Sequence, residues 1–112
     1  MSNKNLVEWL PQIIKIAAFD FKIVLWTYDK ANSHNCYGRL SVNEKTISID
    51  ETLDRYQMLN TLIHEINHAI YWAYNIQDKD KEERIVTTFA TAWTQIYRDN
   101  IDLLKFIEKA RK

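Results

Sequence analysis

Residues 61–72 read TLIHEINHAIYW, and they place two of the chain's three histidines four positions apart, with a glutamate directly after the first. On an α-helix, residues four apart lie one turn up and about 40° around, so His64 and His68 project from one face with their imidazoles side by side. Two such nitrogens suit a single zinc ion, at roughly 2.0 to 2.1 Å from each. Glu65 sits about 100° around from His64, beside the metal rather than on it, where a carboxylate can take a proton from an activated water. Positions 64, 65 and 68 therefore supply two ligands and one base in a single helical turn. The same residues would also serve as an ordinary polar stripe, with Glu65 paired to a nearby lysine or arginine.

A hydrolytic zinc site wants a third protein ligand. A third histidine six residues after His68, as in metzincins, is excluded because Tyr74 stands there and Tyr71 occupies that pattern's glycine position. The next candidates are Glu82 and Glu83, which an antiparallel helix pair with a short polar loop would return to the histidine helix. Glu83 shares a helical face with Val86 and Ala90 and is preferred; Glu82 aligns with Ile85, Val86 and Phe89. Asp78 and Asp80 are lesser options. The competing role of Glu83 is structural, since Asp80 three residues earlier would make a capping box with it. An oxyanion helper is needed besides the metal. Tyr71, Tyr74, Tyr97 and His34 are the candidates, and the sequence does not choose among them. Cys36 reads as an inert thiol or as a thiolate masking the metal.

The elements that must position these groups follow from periodicity. Leu6, Leu10, Ile13, Ile14 and Ala17 fall at helical spacing, which predicts an opening helix kinked by Pro11 or starting near Leu10. FKIVLWTYD, residues 21–29, is dense in β-branched and aromatic residues and reads as a central strand. After the loop KANSHN, CYGRLSV and KTISID read as two short strands around a turn at residues 43–45. Ile47 and Ile49 alternate there with Thr46, Ser48 and Asp50. From about Thr52 to Tyr74 the pattern is helical, with Leu59, Leu62, Ile63, Ile66, Ile70 and Ala73 on one face. A third helix carries Ile85, Val86, Phe89, Ala92, Trp93 and Ile96, and a last one starts at Asn100 as its cap. The expected fold class is α+β: one domain over residues 1–112, with a three-stranded antiparallel meander packed on helices.

Bulk composition bounds the function. The chain has 112 residues, 46% hydrophobic and 27% charged, which is the balance of one globular domain. Fifteen basic side chains against fifteen acidic ones leave no net charge, which argues against a general nucleic-acid or membrane-surface binder. A single cysteine precludes an intrachain disulfide, and no segment reads as a secretory leader or a membrane span, so a cytoplasmic protein is expected.

HEINH followed by EERIVTTFA resembles the zincin metallopeptidases, and within them the compact gluzincin-like peptidases of phages and mobile elements. It is more distantly similar to the immunity-repressor peptidases. The resemblance spans roughly residues 20–100 and implies a minimal zincin domain hydrolysing peptide bonds of a protein substrate. It makes His64 and His68 zinc ligands, Glu65 the general base and Glu83 the third ligand, and it implies a sheet edge that pairs with extended substrate. Asn67 stands where the repressor peptidases usually have glycine. A zinc-stabilised interaction domain that cleaves nothing is the alternative, and a helical partner protein without metal is a third.

Overall fold

The structure is a computed structural model that describes residues 4–112, with side chains from Leu6 onward. The elements run α1 (Lys4–Val7), β1 (Ile13–Ile16), β2 (Phe19–Trp26), α2 (Tyr28–Ser33), β3 (Gly38–Ser41), β4 (Thr46–Asp50), α3 (Arg55–Ala73), α4 (Glu82–Asp99) and α5 (Ile101–Ala110). The fold is α+β, but the sheet corrects the expected three-stranded antiparallel meander. It has four strands in the order β1-β2-β4-β3, and its central pair, β2 with β4, is parallel.

Two physical reasons account for the correction. First, the expected opening helix stops at Val7, because Pro11 cannot continue it, and Ile13–Ile16 goes into the sheet instead. Ile14 and Ile16 are buried while Ile13 and Lys15 are exposed, the period of a strand. Ala17, at φ 56°, turns the chain back so that Ile14 faces Phe21 and Ile16 faces Phe19. Second, β4 is buried on both faces, Ile47 and Ile49 on one and Ser48 and Asp50 on the other, and so takes a strand on each side, whereas Gly38–Ser41 is half-buried or exposed and holds one large apolar residue, Leu40. The poorer strand takes the edge, α2 carries the chain past, and β4 enters beside β2 in parallel register, Ile23 to Ile47 and Leu25 to Ile49.

One face of this sheet is the core. Ile14, Ile16, Phe21, Ile47 and Ile49 are fully buried against Met58, Leu62, Ile66 and Ile70 of α3. α3 starts where Asp54 accepts the Gln57 N–H at 2.8 Å, a side-chain N-cap. α4 contributes Ala92 and Ile96 to the core, and α5 contributes Leu103, Phe106 and Ala110. No helix among the described residues is long and apolar enough to cross a membrane.

Asn100 does not cap α5 with its side chain, as expected from the sequence, but clamps the outer edge of β1. Its Oδ1 accepts the Lys15 N–H at 2.7 Å, and its Nδ2 donates to Lys15 O at 2.8 Å and Ile96 O at 2.9 Å. Gln95 accepts the Ala17 N–H at 2.7 Å and donates to Lys15 O at 3.0 Å. Side chains from the end of α4 thus satisfy one edge of the sheet. Asn100→Ala removes these partners, and unfolding stability is expected to fall by about 1–3 kcal/mol. The check is a lower urea midpoint at an unchanged m-value.

Candidate metal centre

The periodicity of α3 sends Leu62, Ile66 and Ile70 into the core and leaves His64 and His68 exposed at its border. Their rings meet edge to face, with centroids 4.7 Å apart and planes at 78°. The two Nε2 atoms are 3.1 Å apart. Two nitrogens bound tetrahedrally to one zinc would stand about 3.4 Å apart, so the pair is already close to the spacing of shared ligands. Without a metal the same approach is an N–H···N hydrogen bond between one tautomer and the other. The donor set therefore fits a divalent zinc ion at two corners.

Glu65 lies about 60° further around the helix than His68, towards β3, and is only 7% exposed. What allows β3 so close is Gly38, the one glycine in the chain. A Cβ at that position would lie 2.6 Å from Thr61 Cγ2, 2.9 Å from Ser48 O and 3.5 Å from Glu65 Cγ. Gly38 had no role in the sequence reading, although a lone glycine inside a strand pattern signals close approach of another element. Burial pushes the Glu65 carboxyl above its ordinary range. The opposing pulls are weaker: positive charge on His64 and His68, and the Leu40 N–H donated to the carboxylate. A carboxyl that is held back from ionisation next to a histidine pair has the character of a proton acceptor rather than a salt-bridge partner.

His64, Glu65 and His68 share a surface cavity with His34, Cys36, Gly38, Arg39 and Leu40. His34, which the sequence left in an unplaced loop, closes α2 as its C-cap and stacks on Trp26 at 4.6 Å with planes 20° apart. Cys36 is half-buried in the same wall. The tyrosines lie elsewhere. Tyr71 packs edge-on against Phe89, Tyr97 packs against Trp93, and Tyr74 lies half-buried against the core at the end of α3.

The acids of the following segment do not line this cavity. α4 runs back along α3, with Phe89 against Tyr71 and Trp93 Nε1 donating to Asn67 Oδ1 at 3.1 Å. Asn67 is thus the anchor of that helix pair. The start of α4 lies beside Tyr74, whose carbonyl accepts from Arg84 Nη2 at 3.4 Å. Tyr74 is about 9 Å along the axis from His68 at 1.5 Å per residue. Glu82 and Glu83 are exposed there, and Glu83 Oε1 accepts from Thr87 Oγ1 at 3.3 Å. The capping box weighed for Glu83 is not formed: Lys81 is the N-cap, with no side-chain cap bond. Asp80 accepts instead from the Gln77 N–H and from Arg84, each at 2.7 Å, and Asp78 is exposed in the loop. Among the described residues, no three His, Cys, Asp or Glu side chains stand together as a ready cage for a metal ion.

Compared with protein-family models, with curated proteins and with solved structures, the chain matches none of them.

Proposed function

We propose that this chain is a zinc-dependent peptidase that hydrolyses peptide bonds of a protein substrate in the cytoplasm. The observation that carries the reading is the pair of Nε2 atoms 3.1 Å apart, with the buried Glu65 carboxyl on the same helical turn. His64 and His68 hold the ion. A bound zinc would supply Lewis acidity, lowering the pKa of water in the site towards neutrality and polarising a carbonyl oxygen. Glu65 takes the proton from the attacking water and returns it to the leaving amine, so the base of one step is the acid of the next. Glu83 is the proposed third ligand; because the start of α4 lies beside Tyr74 and outside the cavity, holding the ion would require that end of α4 to shift towards His68 as well as release of Thr87 Oγ1.

The sheet supports a peptide as substrate. Gln95 and Asn100 cover the β1 edge, whereas β3 is the opposite edge strand and its Gly38, Arg39 and Leu40 line the cavity with the histidines. An extended chain laid along β3 would place its carbonyls beside His64 and His68.

The test uses the untagged full chain. Metal analysis should find about one zinc per chain, and cleavage of an unfolded protein should stop on chelation and return with added zinc. In Glu83→Ala the zinc content should fall. Zinc uptake without any cleavage across a broad peptide library would identify the zinc-stabilised interaction domain instead, and absence of zinc uptake would remove both readings.

A further inference from the structure

The sheet has a second face, turned away from α3. Strand residues alternate, so while Phe21, Ile47 and Ile49 enter the core, Val24, Ser48 and Arg39 stand in one row on the opposite side, paired Val24 to Ser48 and Ser48 to Arg39. α2 crosses this face at Trp26, where the His34 ring stacks and Lys30 Nζ lies 5.6 Å from the ring centroid. Between α2 and the β3–β4 turn a groove remains, with Ser48 and Thr46 in its floor and Lys30, His34 and Arg39 along its sides. Lys30 and Arg39 are exposed, and among the described residues neither makes an ion pair; the pairs that form are Arg84 with Asp80 and Arg111 with Glu108. One acid, the exposed Glu44, borders the groove from the turn. Asp50, on the same face of β4, is already engaged: its Oδ1 accepts from the Thr52 N–H at 2.8 Å and from the Thr52 hydroxyl at 2.6 Å. The groove therefore holds two cations against one acid.

We infer that the peptide pairing with β3 carries an acidic side chain, a glutamate or aspartate, seated against Arg39 in this groove. The inference rests on the peptidase reading for calling that peptide the substrate, and it adds the class of substrate. β3 gives one edge to β4 and leaves the other open. Residues directly opposite in a strand pair put their side chains on the same face, with Cβ atoms about 5 Å apart. A peptide residue opposite Arg39 therefore points into the outer groove. Its two neighbours, opposite Gly38 and Leu40, point to the other face, where Gly38 lies against Glu65 and Leu40 packs on the core. One strand thus presents its carbonyls towards the histidines and one side chain to the cations. A carboxylate in that place matches the two-pronged donor of a guanidinium, and Lys30 in the same groove adds attraction. A glutamine there would keep the shape and lose the charge, and a lysine would meet like charge.

The test measures binding by fluorescence anisotropy, with the untagged full chain and a chelator present so that nothing is cleaved. The probes are labelled heptapeptides rich in threonine and valine, with glutamate, glutamine or lysine scanned through every position. The wild type should bind the glutamate peptide about 5- to 10-fold tighter than its glutamine counterpart at one position, with no such preference at the two flanking positions. The preference should shrink as salt is raised. Arg39→Gln should abolish it, and Arg39→Glu should transfer it to lysine at the same position, a reversal that a damaged edge strand could not give. Equal binding of glutamate and glutamine peptides at every position overturns the inference, as does a glutamate preference that survives in Arg39→Gln or a failure to bind any peptide. Binding of inorganic phosphate without discrimination among the peptides overturns it too, and would mark the groove as a small-anion site. Cleavage with added zinc judges the peptidase reading separately. Cleavage without an acidic preference keeps the peptidase and removes this inference, whereas an Arg39-dependent preference in a chain that takes up zinc and cleaves nothing overturns the peptidase and supports the groove as the acidic-peptide site of an interaction domain.

Discussion

Glu65→Gln is expected to retain the fold and its zinc while kcat falls by about 1,000- to 10,000-fold, the upper part of the range for loss of a positioned general base. The fold should persist because the amide matches the carboxylate in shape and keeps an oxygen to accept the Leu40 N–H. It also removes a charge that burial at 7% exposure disfavours, so the substitution adds no desolvation cost. What disappears is the acceptor: a primary amide has negligible basicity, and the attacking water keeps its proton. Glu65→Asp is the informative companion, since it keeps the carboxylate but withdraws it by one methylene, about 1.5 Å. A shift of that size at a reacting proton costs on the order of a hundredfold, so its activity should lie between the other two. Single-turnover cleavage with metal analysis on the same samples reads both effects. Equal activity in wild type and Glu65→Gln would remove Glu65 from the chemistry.

How much of this site the sequence reveals depends on how local each part is. His64, Glu65 and His68 sit within five residues of one helix, so helical geometry alone fixes their faces. The apolar phase of Leu62, Ile66 and Ile70 then places the pair at the core border, as observed. The wall opposite is not local. His34 is placed by the end of α2 and stacks on Trp26, and no periodicity in KANSHN encodes a ring contact across eight residues. Gly38 is readable only as a warning of close approach, because what it approaches, Thr61 and Glu65, lies more than twenty residues on. The missed strand has a different cause. Leu6, Leu10, Ile13 and Ile14 satisfy a helical repeat, while Ile14 and Ile16 satisfy a strand repeat, and Pro11 with the pairing to β2 decides for the strand. The parallel β2–β4 pair is hidden for a similar reason, since adjacency in sequence favours the meander and only the burial of β4 on both faces, Ile47 and Ile49 on one and Ser48 and Asp50 on the other, selects the interior place.

His68→Ala carries the second large effect, this time on the metal. A single imidazole on a solvent-exposed turn is a weak, labile ligand, and the proposed chelate rests on a second nitrogen standing 3.1 Å away. Zinc affinity should therefore fall by more than the roughly 10- to 100-fold that loss of a supporting outer partner costs. Because both rings are exposed, metal-free stability should change by no more than about 0.5 kcal/mol. The two effects separate in thermal unfolding with and without zinc. At a thousandfold excess over the wild-type dissociation constant, zinc should stabilise the wild type by about 4 kcal/mol and, after a hundredfold or greater loss of affinity, His68→Ala by no more than about 1.4 kcal/mol. His64→Ala should behave alike, and the double variant should lose little beyond either single one, because removing one ring already abolishes the chelate. Additive losses would instead mean that each histidine binds zinc independently, and a pair acting independently would leave Glu65 beside no shared ion to serve.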